Sequence, residues 1–313
     1  MAIQFKEIRQ YLARNTRLSI CFEDGYYHDY LMISDIPAEK YKDLYVYGVG
    51  MTDVEFSMDI YVSPKDLDGV ITSTRRLYTM ATYVIGDIHN SLKKLNEMIK
   101  LISPTMQDQV ILLGDLFDRG GDEPDPVGVY FRICGLNTNV KWIRGNHDQL
   151  LAEYIYSYYG TVQKKRSSLQ PYRYNSFELM KDRFVEVDML NLADLIMGLP
   201  LQIEIDIGSV KYLLAHAMTF DPTHEVQEKT LHLEGIEEIQ EYWEHGVKGY
   251  VSLVGHHDSS YQYSNPKGGY LDEESSSIWV NEQENVYMMD CGCGLPNGRL
   301  ASICLETGER FYS

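Results

Sequence analysis

The chain has 313 residues, 44% hydrophobic and 24% charged, a globular composition with room for one large domain or two ordinary ones. Its formal charge of -18 argues against duplex nucleic acid as a partner, because phosphates are bound by clustered lysine and arginine. Five scattered cysteines (Cys21, Cys134, Cys291, Cys293, Cys304) do not make a disulfide framework, and no stretch has the pattern of a signal peptide or the length of a membrane span. A cytoplasmic protein with no membrane partner is the expectation.

Residues 1–79 are expected to form a small, mainly β domain of α+β type. IRQYLARN (8–15) suggests a short helix; RLSICFED (17–24), DYLMISDI (29–36), DLYVYGVG (43–50) and SMDIYVSP (57–64) suggest antiparallel strands. Nine tyrosines in this stretch suit a protein-binding or dimerising surface, and ordinary strand packing accounts for them equally. Residues 64–74 read as a linker. Met80 then opens MATYVIGDIH in the manner of an independent chain's start, which leaves a fusion and a chance methionine both open.

Residues 80–313 alternate strands with helices, the order of a layered α/β domain. YVI (83–85) reads as a buried strand, and in SLKKLNEMIKLI the residues Leu92, Leu95, Ile99 and Ile102 make one helical face. Further buried strands are expected in VILLGD (110–115), VKWIRGNHD (140–148), VKYLLAHA (210–217) and YVSLVGHHD (250–258). Residues 163–176, QKKRSSLQPYRYNS, read as a mobile loop whose basic residues either steer an anionic substrate or are simply solvated. Cys291 and Cys293, a lone C-x-C, read as buried thiols, and Trp142 as core.

Each strand closes on the same class of residue: Asp87 and His89, Asp115, Asn146 and His147, His216, then His256 and His257. Side chains just past the carboxyl ends of such strands line ligand-binding crevices. Mixed carboxylate, imidazole and amide donors suit manganese, iron or zinc, and six of them with a carboxylate free to bridge imply two ions.

In order, GDIHN, GDLFDRG (114–120), GNHD (145–148), the histidine of LAHA and VGHH resemble the signature blocks of the calcineurin-like metallophosphoesterases. GDLFDRG and the closing DCGCGLPNGRLASICLETGERFYS are similar to the subgroup of bacterial and phage Ser/Thr protein phosphatases and symmetrical diadenosine tetraphosphatases. The resemblance runs from about residue 82 to residue 313; residues 1–79 resemble no known family. It implies a four-layer αββα sandwich over 80–313 and a binuclear centre, with manganese the expected metal. Asp87 and His89 would bind the first ion, Asp115 would bridge, and Asn146, His216 and His256 would bind the second. A water acidified by both ions would supply hydroxide. His147 would protonate the leaving oxygen, Asp118 would orient His147, and Arg119 would hold phosphate oxygens.

Two departures stand out. Asn90 replaces the family's usual glycine, and AMTFDP after His216 lacks an arginine often found nearby. Arg144, Arg173 or Arg299 could replace that arginine, with Arg299 equally suited to anchoring the terminal hairpin, and His257 could contact substrate. The leading expectation is a Ser/Thr protein phosphatase-like phosphomonoesterase acting on a phosphorylated protein or small molecule. Hydrolysis of a dinucleoside polyphosphate or another nucleotide is the alternative, for which tyrosines between 152 and 174 could provide a shelf; a non-catalytic scaffold is the third. Residues 1–79 would select the partner or substrate.

Overall fold

The computed structural model describes residues 80–313 apart from 162, 224–229, 236–239, 260–267 and 273–275, and the backbone of five strands before residue 80. By chain contacts it divides into two compact units, Met1–Thr79 and Met80–Ser313. In the first, β1 (Ile3–Gln4), β2 (Arg17–Phe22), β3 (Tyr27–Tyr30), β4 (Tyr45–Met51) and β5 (Ser57–Ser63) form one sheet in the order β1-β4-β5-β2-β3. Three of the four pairings are antiparallel, as expected of several such strands, while β2 and β5 run parallel. The chain between them carries β3 and β4, long enough for the crossover that a parallel pair requires. The helix expected over 8–15, the linker over 64–74 and the later part of the strand expected over 29–36 lie outside the described residues.

In the second unit β6 (Thr82–Ile85), β7 (Gln109–Leu112) and β8 (Asn139–Trp142) run parallel, and β15 (Ala301–Cys304) and β16 (Arg310–Tyr312) extend their sheet as an antiparallel hairpin. A second sheet, β12 (Gly268–Tyr270), β13 (Trp279–Asn281), β14 (Val286–Met288), β11 (Val251–Val254), β10 (Val210–Ala215) and β9 (Gln202–Ile207) in that order, has β10, β11 and β14 parallel at its centre.

The period of two along short strands builds the layers. On β6 and β7, Tyr83, Ile85, Val110 and Leu112 pack with helices α1 (Leu92–Ile102), α2 (Pro126–Cys134), α3 (Asn146–Gly160), α4 (Ser176–Lys181) and α5 (Glu186–Gly198). Their alternates Val84 and Ile111 pack instead against Leu214 and Leu253 of the other sheet. Beyond that sheet, Val254, Val286 and Met288 meet Tyr242 and Trp243 of α7 (Gln240–His245), which follows the single-turn α6 (Leu231–Glu234). The result is an αββα sandwich, in which each large buried apolar side chain contributes about 1.5–3 kcal/mol. On α1 the buried face is Leu95, Met98, Ile99 and Ile102, with Leu92 only half-buried at its edge.

Trp142 lies in the helix-side core, and the thiols of Cys291 and Cys293 are buried, with burial pushing that of Cys293 up to about 12. No helix among the described residues is long and apolar enough to cross a membrane.

Candidate active site

The six parallel strands release their chains toward one shared edge. From β6 come Asp87 and His89, from β7 Asp115, from β8 Asn146 and His147, from β10 His216, and from β11 His256. The sixth strand, β14, contributes Asp290, which the strand-end motifs of the sequence did not include. Two clusters of donor atoms result, one of Asp87, His89 and Asp290, the other of Asp115, His216 and His256. Asp115 joins them: its Oδ2 lies 3.8 Å from His89 Nε2 and its Oδ1 3.4 Å from His216 Nε2. Asn146 Oδ1 is 2.9 Å from His216 Nε2 and 3.2 Å from His256 Nδ1. Both His89 and His216 direct Nδ1 at a backbone carbonyl, of Phe117 (3.1 Å) and Leu113 (2.8 Å), which leaves Nε2 as the donor atom facing inward.

Local backbone geometry is bent to this purpose. His89, Asp115, Asp118, Arg119 and His256 all have φ between 48° and 68°, the left-handed region that costs a side-chain-bearing residue roughly 1–2 kcal/mol. Strain gathered at five such residues marks a functional site rather than a packing accident. Two glycines of the motifs have a steric reason: a Cβ at Gly145 would collide with the Asp115 carboxylate, and one at Gly255 with that of Asp87.

Asp148, the last residue of GNHD, holds the Asp115 turn from beneath. Its buried carboxylate accepts from the backbone N–H groups of Asp115, Leu116 and Gly145, each at 3.0 Å, and from Trp142 Nε1 at 3.3 Å. Asp148→Asn keeps the shape but turns one oxygen into a donor that faces N–H groups. Leaving buried donors unpaired costs about 1–3 kcal/mol each, so the variant should unfold at lower urea concentration by about 2–4 kcal/mol. An unchanged urea midpoint would contradict this account of the turn.

The electrostatics suit cations. Asp87, Asp115 and Asp290 are each at most 2% exposed and lie together. Burial, with Asp290 beside it, raises Asp87 well above the carboxylate range, and burial pushes Asp290 up to about 7. For Asp115 burial acts upward too, but His216 and its neighbours outweigh it and the carboxyl stays below the usual range. His216 shows the reverse contest: burial disfavours its charge, yet Asp115 and Asp87 raise it to about 10. Burial lowers His89 to about 4 and His256 to about 2, so both present neutral imidazoles. Buried carboxylates and neutral imidazoles converging on shared points fit two divalent ions in their donor chemistry.

A pH dependence follows. His216, raised to about 10, and Asp290, raised to about 7, hold protons that would have to leave for a cation to occupy the candidate donor groups. Apparent manganese affinity should therefore rise between pH 6 and 9, by about tenfold per pH unit for each proton released. Calorimetric titration in buffers of different ionisation heat should show at least one proton released per chain at pH 8; no release would contradict the assignment of His216.

Beside the clusters, His147 Nδ1–H donates to Asp118 Oδ2 at 3.0 Å, while its Nε2 is 3.3 Å from Arg119 Nη2. Arg119 Nη1 also lies 3.2 Å from His89 Nε2, so the guanidinium fork sits at the cluster's edge. The stretch expected to be a mobile loop contains a 3₁₀ turn at Gln163–Ser168, and its final residues pack on the site. Tyr172 is buried with its hydroxyl on Asp118 Oδ2 (2.7 Å), and the Tyr174 ring centroid lies 4.3 Å from that of His147. Asn90 occupies a left-handed position that asparagine tolerates, and its amide binds Ser176 Oγ (3.0 Å).

The remaining expected substrate residues fare differently. Exposed Arg173 has its guanidinium 5.3 Å from the Tyr174 ring centroid, at the margin of the site. Arg144 bonds Gln149 and touches Met197, neither of which belongs to the cluster. Arg299 stacks 4.1 Å over Tyr312 and pairs its backbone with Cys291, so it anchors the terminal hairpin. His257 is buried between His256 and Trp243, its ring centroid 4.7 and 5.1 Å from theirs. Asp290 could have been found by the rule that found the others, since it follows the apolar strand of β14 and precedes a glycine turn. Tyr172, Tyr174 and Ser176 carry no such signal.

Among known proteins, the symmetrical bis(5'-nucleosyl)-tetraphosphatase of Pectobacterium atrosepticum is 39% identical over 77 residues, 24% of this chain and 26% of that protein. Its counterpart in Proteus mirabilis is 37% identical over 70 residues, 22% and 24% of the two chains. The chain thus aligns with about a quarter of the length of these curated relatives. A protein serine/threonine phosphatase structure from Saccharomyces cerevisiae is similar over 75% of this chain and 80% of that one, at 14% identity and a TM-score of 0.44. The family model described as calcineurin-like phosphoesterase matches residues 80–286, a span that holds every strand-end donor except Asp290. The chain belongs to the calcineurin-like phosphoesterase family.

Proposed function

We propose that the protein is a two-ion phosphomonoesterase of the Ser/Thr protein phosphatase type. The observation that carries this reading is Asp115, whose two carboxylate oxygens face two different donor clusters. Asp87, His89 and Asp115, with Asp290 beside them, would hold one ion, and Asp115, Asn146, His216 and His256 the other. Divalent ions bound there supply Lewis acidity toward a phosphoryl oxygen and lower the pKa of a water toward neutrality. Manganese is the proposed metal, since the oxygen and imidazole donors suit it and no thiolate stands among them.

The chain's own groups do the rest. Arg119 lends its planar fork to two phosphoryl oxygens, a role for which its position between His89 and His147 is suited. Once the Arg119 fork turns from His147 Nε2 to the phosphoryl oxygens, that nitrogen takes a proton from solvent and delivers it to the leaving oxygen as the ester P–O bond breaks, while Asp118 keeps the ring aimed by accepting from Nδ1. The water's oxygen ends on phosphorus and its proton passes to solvent, from which His147 is recharged for the next turnover.

A second reading, hydrolysis of a dinucleoside polyphosphate, is favoured by a specific observation. The leaving group must depart past His147, where the half-buried Tyr174 ring and the Arg173 guanidinium offer a base a stacking face and a phosphate a positive charge. The names of the curated relatives point the same way. Purified protein with manganese should be offered a serine phosphopeptide, p-nitrophenyl phosphate and diadenosine tetraphosphate. Phosphate release from the first two supports the phosphomonoesterase. Cleavage of the dinucleotide with the phosphopeptide untouched replaces it by the second reading, and no turnover of any of the three sinks both.

A further inference from the structure

The segment after the 3₁₀ turn delivers alternate residues to one place. Tyr172 gives its hydroxyl to Asp118 Oδ2, the same oxygen that receives His147 Nδ1–H. Tyr174 lays its ring against the His147 imidazole. Ser176 donates its backbone N–H to Asp118 Oδ1 at 3.2 Å, and its hydroxyl oxygen accepts from the Asp118 backbone N–H at 2.6 Å. Between them, Asn175 reaches the other way, its side-chain amide donating to the Arg119 carbonyl at 2.7 Å. Every hydrogen bond of the Asp118 carboxylate among the described residues therefore comes either from His147 or from this segment.

Asp118 sits in the left-handed region, with φ 68°, a sparsely populated conformation that persists where surrounding contacts hold it. A carboxylate so placed can point at His147 only if other groups fix it. The Tyr172 hydroxyl is suited to fixing it, because its ring lies in the helix-side core, and burial together with the Asp118 carboxylate pushes its ionisation far above the ordinary range, so it stays a donor. Asn90 fastens the far end by binding Ser176 Oγ and Asn175 Oδ1 (3.2 Å), and its place just past the Asp87 and His89 strand end links this brace to the metal-binding edge.

We infer that Tyr172 is a positioning residue for the His147–Asp118 pair, and that residues 172–176 form a brace that aims the proton donor at the leaving oxygen. The inference rests on the reading of His147 as general acid given above. A brace of this kind acts on leaving-group protonation and on little else. Its loss should therefore matter for esters of poor leaving groups and hardly at all for p-nitrophenolate, which departs without a proton.

The test compares wild type, Tyr172→Phe and His147→Asn, each loaded with manganese, on phenyl phosphate and p-nitrophenyl phosphate. Tyr172→Phe keeps the ring and removes only the hydroxyl. It should lower kcat on phenyl phosphate about tenfold, a fraction of the roughly 10²–10⁴ that general acid catalysis supplies. Its KM should stay within about twofold, and its kcat on p-nitrophenyl phosphate within about threefold. His147→Asn should show the same selectivity, enlarged. If His147→Asn is selective and Tyr172→Phe slows both esters alike, or neither, the brace falls while the reading of His147 stands. If His147→Asn itself shows no selectivity, that reading falls and takes the brace with it. Should Tyr172→Phe fail to fold, Ser176→Ala takes the acceptor from the Asp118 amide and is measured on the same two esters: selective slowing supports the brace, and equal or absent slowing overturns it.

Discussion

Asp115→Asn should cut turnover about a thousandfold. The substitution keeps volume and leaves Oδ1 free to accept the His147 backbone N–H (2.9 Å), so the turn itself should survive. What it removes is the charge between the two clusters and one of the two oxygens that face them. Stabilisation of transition-state charge by a paired centre amounts to several kcal/mol, and losing about 4 kcal/mol of it lowers kcat by about 10³-fold. Two readouts check this: phosphate release from p-nitrophenyl phosphate, and bound metal per chain by mass spectrometry after gel filtration. Bound metal should fall from two ions to one or fewer. A variant that keeps two ions and most of its activity would mean that Asp115 does not join the clusters functionally.

His147→Asn should separate metal binding from chemistry. The ring contacts Asp118, Arg119 and Tyr174 but belongs to neither donor cluster, so metal content should be unchanged. On phenyl phosphate, kcat should fall by about 10²–10⁴-fold, the usual contribution of a positioned acid, with KM altered far less. Metal lost together with activity would instead make His147 a ligand and would reassign the proton donor.

Much of this site is legible in the sequence because its physics is local. Short apolar runs that end in glycine and a polar residue betray a buried parallel strand and a displayed donor, and Asp87, Asp115 and His256 need nothing more. Gly145 and Gly255 are explained by atoms far along the chain, yet they stand in the motif as visible punctuation. Asp290 obeys the same strand-end rule but escapes notice, because β14 is only three residues long and the sequence after it reads as part of the terminal hairpin. Tyr172, Tyr174 and Ser176 are beyond the reach of local pattern. They lie in a stretch without hydrophobic period, and what gives them meaning is contact with the His147–Asp118 pair; Asp118 is 54 residues away in sequence from Tyr172 and 58 from Ser176.

The spans of the strands are also less legible than their ends. VKWIRGNHD reads as one run, whereas β8 stops at Trp142 and Asn146 already opens α3. Asp148 accepts the Gly145 N–H across that helix start, a cap that hydrophobic patterning cannot register. In residues 1–79 the strands over 17–22, 45–51 and 57–63 follow from β-rich composition, but the parallel partnership of β2 and β5 is a matter of topology that no local pattern specifies.

The paired centre is tested most directly by anomalous diffraction at the manganese edge from crystals grown with the metal. Two peaks about 3.5–4 Å apart, one against each oxygen of Asp115, are the predicted result. A single peak, or peaks that leave Asp115 uncoordinated, would contradict the account.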